Sequence, residues 1–91
     1  MKTMEILKVT SSRRSFDQLL GQLSTLANLT DLDSKIEEIS IWTDGSGIPV
    51  LMLCLKYREA LEGLSTDGTL LADFLRKYGF VSHERWLEGR F

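Results

Sequence analysis

The chain is short of the residues that usually narrow chemistry: it has one cysteine, one proline and one histidine in 91 residues. Cys54 alone cannot close an intramolecular disulfide, so nothing calls for an oxidising compartment and a cytoplasmic location is expected. His83 is the only imidazole, and no H-x-x-x-H, C-x-x-C or EF-hand spacing accompanies it. Neither a metal nor another cofactor is expected. Charge of one sign is also lacking. The net charge of -2 offers no cationic field to nucleic acid or anionic lipid and no acidic excess. No apolar run approaches the ~20 residues of a membrane helix. The opening Met1-Lys2-Thr3-Met4-Glu5-Ile6 turns polar before a signal core can form, so an untargeted soluble chain with no membrane partner is expected. There is no repeat, low-complexity tract or Pro/Ser-rich linker, and residues 1–91 read as a single domain.

What is present is a regular alternation of elements. Met4 to Thr10 is β-rich and closed by Ser11-Ser12, which predicts a first strand. Ser15-Phe16-Asp17-Gln18 forms a capping box, and Phe16, Leu19, Leu20, Leu23, Leu26 and Ala27 follow at helical spacing. Asn28 to Ser34 reads as a turn-rich exit. Ile36 to Thr43 alternates Ile39, Ile41 and Thr43 against Glu38, Ser40 and Trp42, which predicts a strand. Asp44-Gly45-Ser46-Gly47 supplies a tight reversal, and Ile48 to Tyr57 is a second strand, apolar on both faces and therefore central, with Pro49 near its start. Arg58 to Leu64 is ambiguous between a short helix and a loop. From Thr69 the spacing of Leu70, Leu71, Phe74, Leu75 and Tyr78 is helical, with Asp67 or Thr66 as N-cap, Arg76 and Lys77 in the last turn and Gly79 at C′. Phe80 to Leu87 reads as a final strand.

The order βαββαβ is the split βαβ, or ferredoxin-like, arrangement: an α+β sandwich with a four-stranded antiparallel sheet and two helices on one face. Right-handed crossovers leave the other face uncovered. With Leu51, Leu53 and Leu55 toward the helices, Met52, Cys54 and Trp42 look outward, and Trp86 joins them if the last strand has the matching register. Large apolar groups on an open face point to a partner.

Few residues offer chemistry. A general base would have to be His83, which reads as a partly exposed strand residue, and Cys54, set among Met52, Leu53 and Leu55, reads as inert packing. Glu37 and Glu38 are adjacent on a strand, point to opposite faces and so share no acid-base site. Ser11-Ser12-Arg13-Arg14-Ser15 places two arginines and three hydroxyls at a helix N-terminus, where an anion can bind. By its place in the fold this loop resembles the arginine-bearing loop of acylphosphatases, but their glycine-valine-rich signature is absent and the activity is not carried over. Phe74 to Val81 is similar to the tail motif of acetyltransferases. The acyl-CoA pyrophosphate loop is missing, so the segment reads as helix-Gly-strand punctuation.

These features lead to a non-catalytic interaction module, an enzyme not being the expectation. It would bind a protein, itself or another, through Trp42, Met52 and Trp86, with Arg13 and Arg14 as a second contact, and a homodimer is expected. One alternative is RNA binding on the same face, since RRM domains share this topology. The RNP1 pattern is missing from Ile48 to Leu55, and nucleic acid is not an expected partner. The other is a small dimeric ligand-binding protein or enzyme of the α+β barrel type, with His83 or Arg85 as polar handles.

Overall fold

The computed structural model describes residues 2–25 and 35–89. Its elements are β1 (Thr3–Thr10), α1 (Arg13–Leu20), β2 (Ile36–Thr43), β3 (Val50–Tyr57), α2 (Thr66–Leu75) and β4 (Phe80–Leu87). The four strands form one antiparallel sheet in the order β2-β3-β1-β4, as the ferredoxin-like arrangement requires. Strict alternation in β1 and β3 sets the faces. Leu7 and Val9 oppose Leu53 and Leu51, and the same side carries Leu55 and Tyr57. These meet Phe16 and Leu19 of α1 and Leu71, Ala72 and Leu75 of α2 in one core. Each leucine taken fully from water contributes about 2 kcal/mol, so this layer is the main source of stability.

The hairpin between β2 and β3 forms where expected. The backbone N–H of Ser46 donates to Asp44 Oδ1 at 2.7 Å, its hydroxyl donates to the same oxygen, and Gly47 takes a φ of 87°. Those two donors hold the Asp44 carboxyl below its ordinary range. Arg13 ties this turn to α1 by donating to the Gly47 carbonyl, and its guanidinium stands 5.8 Å from the Phe16 ring centroid.

Several local expectations are corrected. The N-cap of α1 is Ser12, whose hydroxyl accepts from Ser15 N–H, so the helix starts three positions before the Ser15 capping box. Both serines precede the apolar stripe, and the one with extended backbone takes the cap. Leu26, Ala27 and the turn Asn28 to Ser34 lie outside the described residues. β3 begins at Val50, after Pro49 rather than at Ile48. Arg58 to Leu64 forms no helix. The N-cap of α2 is Ser65, not Thr66 or Asp67, and Arg76 and Lys77 lie just past its last residue. A bulge between Ile36 and Glu38 breaks the alternation of β2, so Glu37 and Glu38 line the same groove instead of opposite faces.

Gly79 does not have the positive φ of a C′ glycine. It is needed for space. A Cβ there would overlap the Thr10 carbonyl oxygen and stand 2.9 Å from its carbon and 2.8 Å from Ser11 Oγ. Because the obstruction is backbone, Gly79→Ala is expected to cost about 2–3 kcal/mol, read as a lower urea midpoint. A midpoint equal to that of the parent protein would refute the close approach.

Candidate functional site

The two faces of the sheet carry different chemistry. On the open face, Trp42 of β2 opposes Met52 of β3, in register with Lys8 and Ser82. Trp86 of β4 opposes Met4, in register with Lys56 and Glu38. The middle row holds Ser40, Cys54, Ile6 and Glu84. Trp42 and Trp86 both face outward as expected, yet the sheet sets them on opposite edge strands and in different rows, at diagonal corners. Each indole N–H finds a partner on its own strand: Trp42 donates to Ser40 Oγ and Trp86 to Glu84 Oε2, both at 3.0 Å. A groove of 490 Å³ at the Trp86 end is lined by Lys2, Met4, Glu37, Glu38 and Lys56 among others. Its rim is paired: Lys2 bridges Glu37 at 2.9 Å and Lys56 bridges Glu38 at 3.4 Å. The first pair lowers the Glu37 pKa and raises that of Lys2. Cys54, although on this face, is buried. Arg14 is exposed on α1, and Arg13 is engaged with Gly47 and Phe16. The structure therefore does not bring Arg13 and Arg14 together with the aromatic residues.

The helix-covered face holds a polar cluster set into an apolar layer. Strand alternation places Thr3 and Glu5 of β1 beside Leu7 and Val9, and His83 and Arg85 of β4 opposite Leu7 and Glu5. Glu5 is fully buried, and the His83 side chain is 9% exposed. Glu5 Oε2 lies 2.5 Å from His83 Nε2, while Glu5 Oε1 accepts the backbone N–H of Ser65 at 2.7 Å. That N–H belongs to the α2 N-cap, so the helix presents its positive end to the carboxyl group. Ser65 Oγ accepts from Gly68 N–H at 2.8 Å and lies 2.6 Å from the Tyr57 hydroxyl. Thr3 Oγ1 accepts Leu61 N–H at 2.7 Å, and Arg85 donates to the Leu61 carbonyl. The β3–α2 connection is thus held at its middle and at its α2 end by polar residues of the sheet. A depression of 320 Å³ opens beside the cluster, lined by Lys35, Leu61, Glu62, Leu64, Ser65 and Thr66.

A buried carboxyl group costs free energy unless its oxygens find donors. Here one oxygen has a backbone N–H and the other an imidazole nitrogen, which is the pairing of a base with its orienting acid. His83 meets Glu5 through Nε2, which leaves Nδ1 as its second ring nitrogen. Among the described residues, no three His, Cys, Asp or Glu side chains come together to hold a metal. His83 lies on β4 with intermediate burial, its side chain turned to the helix-covered face and paired with Glu5, a pairing that the sequence reading did not include. Glu5, Ser65, Tyr57 and Thr3 were not singled out in the sequence.

No protein-family model matches the chain, and no curated protein matches it. Solved structures do. The structure of Rv0793 from Mycobacterium tuberculosis superposes with a TM-score of 0.73 at 13% identity, covering 100% of this chain and 98% of that one. A conserved Bacteroides thetaiotaomicron protein named as a possible oxidoreductase gives 0.71 at 8% identity, covering 93% of this chain and 95% of its own. A "putative antibiotic biosynthesis monooxygenase" from Deinococcus radiodurans gives 0.66 at 13% identity, covering 98% and 94%. The ferredoxin-like α+β fold is shared over essentially the whole chain. The reading as a non-catalytic interaction module is corrected here: neighbours of the same architecture bear the names of oxidising enzymes, and the ionisable cluster lies opposite the face on which that reading rested.

Proposed function

We propose that the protein is a small enzyme of the dimeric α+β barrel type that removes a proton from a small organic molecule, with His83 as base and Glu5 as its orienting partner. The observation that carries this reading is the Glu5–His83 pair on the helix-covered face, its carboxyl group fully buried beside Leu7 and Leu55. An ionisable pair in such a place is weak as a source of stability, because desolvation offsets the attraction. Sites of that kind are common where a charge has a chemical task. Once His83 takes a proton through Nδ1, the adjacent Glu5 carboxylate compensates the imidazolium. The depression lined by Lys35, Leu61, Glu62, Leu64, Ser65 and Thr66 lies one hydrogen bond from Glu5 and has walls of mixed polarity, which suits a small ligand with polar groups on an apolar body. The names of the neighbours from Deinococcus and Bacteroides support oxidation as the reaction that proton removal prepares.

Dioxygen uptake and thermal shift against a panel of small hydroxyaromatic compounds test this reading, since a neutral imidazole can take their O–H protons. At least one compound is expected to raise Tm and consume dioxygen, and His83→Gln is expected to lower the uptake rate by about 10²–10⁴-fold. Equal uptake by the variant, or no response to any compound, would sink the reading.

The enzyme acts as a homodimer whose open sheet faces stack, covering Trp42, Met52 and Trp86. Support comes from the exposure of Trp42 and Trp86, 58% and 54%, on that face. Trp42→Glu is expected to halve the molar mass seen by light scattering. A dimer that persists would place the contact elsewhere.

A further inference from the structure

We infer that Ser65 is a positioning residue whose backbone N–H, acting through Glu5, sets the tautomer of His83. The inference rests on the base role proposed above and adds how that base is prepared. Glu5 has two carboxylate oxygens in a site with no exposure to water. Ser65 N–H claims Oε1 at 2.7 Å, which leaves only Oε2 to face the imidazole, at 2.5 Å from Nε2. With that oxygen as acceptor, the ring proton of neutral His83 sits on Nε2, and Nδ1 keeps the lone pair that can receive a proton.

Ser65 cannot easily move away from this duty. As N-cap of α2 its hydroxyl is committed to Gly68 N–H and to the Tyr57 hydroxyl, which fixes the backbone from which the N–H projects. Gly68 allows the helix to press against the pair, since a Cβ there would overlap Glu5 Oε2 and stand 3.0 Å from His83 Nε2. The cap, the carboxyl group and the imidazole therefore form one chain of contacts. Ser65 itself is separated from His83 by Glu5.

The substitution Glu5→Gln reads this chain directly. A glutamine keeps the shape, but only its oxygen can accept from Ser65 N–H, so its amide N–H₂ is turned toward His83. The imidazole must then accept at Nε2 and carry its proton on Nδ1. His83 is the only histidine of the chain, so ¹⁵N-¹H correlation spectra of the imidazole contain a single ring. The expected result is the Nε2–H tautomer in the parent protein and the Nδ1–H tautomer in Glu5→Gln. The Nδ1–H tautomer in the parent, or one tautomer in both proteins, overturns the inference. If Glu5→Gln does not fold, Ser65→Pro removes the same N–H at a backbone φ of -72° that proline adopts, with Ser65→Ala as the control that keeps it. An Nε2–H signal that matches the parent in Ser65→Ala and is shifted or broadened in Ser65→Pro, where the carboxylate is no longer held, supports the inference; identical spectra for the two overturn it. None of these spectra needs a ligand, so failure of the proposed enzymatic reading, seen as His83→Gln behaving as wild type, is a separate result.

Discussion

Gly68→Ala is expected to destabilise the protein by about 3–5 kcal/mol, although the glycine lies inside α2 and helix propensity alone would make alanine better by about 1 kcal/mol. The sign is decided by space. The new Cβ would overlap Glu5 Oε2 and crowd Glu5 Cδ and His83 Nε2, each at 3.0 Å. A flexible surface side chain would swing aside at little cost. Glu5 cannot, because it is fully buried with Ser65 N–H on one oxygen and His83 on the other. Relief requires either breaking the pair in a dry site or lifting α2 off the sheet, and both exceed the propensity gain. Urea unfolding checks this, with a midpoint drop of more than ~1 M expected for a typical m-value. Gly45→Ala is the control, since nothing lies within 4 Å of its Cβ position and its effect is expected to be near zero. A Gly68→Ala protein as stable as the parent would mean that the Glu5–His83 contact is looser than 2.5 Å implies.

The second large effect is non-additivity within the pair. His83→Leu leaves a buried carboxyl group with Ser65 N–H as its one remaining donor and is expected to cost about 3–5 kcal/mol. Glu5→Leu orphans both that N–H and the imidazole and is expected to cost about 2–3 kcal/mol. Together the two substitutions turn the site into an extension of the leucine core, and the double variant is expected to recover most of the loss or to exceed the parent by ~1 kcal/mol or more. A double-mutant cycle by urea unfolding measures the coupling. Effects that add to within ~0.5 kcal/mol would show that the two groups do not act as a pair. The double variant would also be the cleanest inactive protein for the dioxygen assay, since it keeps the fold and loses only the ionisable groups.

Much of the architecture was legible in the sequence because it is written in short periods. β2 and β4 occupy the expected spans, Ile36–Thr43 and Phe80–Leu87, and the outward orientation of Trp42, Met52 and Cys54 followed from alternation along their strands. Helix starts were less legible, because Ser12 and Ser15, or Ser65, Thr66 and Asp67, offer competing caps whose choice depends on backbone conformation. The candidate site was not legible for a different reason. Thr3, Glu5, Leu7 and Val9 do alternate, but Met4 and Ile6 on the other parity are just as apolar, so β1 alone does not say which set is buried. Burial of Glu5 becomes tolerable only through His83 and Ser65, which local periodicity cannot supply. Gly68 likewise has no local signature that would mark it as the point where α2 touches the site.

The separation of 78 positions between Glu5 and His83 also bears on how the molecule comes into being. During synthesis the carboxyl group emerges with β1, whereas its imidazole partner arrives with β4, the last strand to be made. Until then the helix-facing side of β1 exposes an acid that has no imidazole partner, and the edge that β4 will occupy stays open. A fragment ending before β4 therefore lacks both the base and the fourth strand of the sheet. Contacts this distant in sequence form late and couple folding to completion of the whole sheet. The chemistry and the fourth strand arrive in the same step, so a partly made chain carries no partly working site.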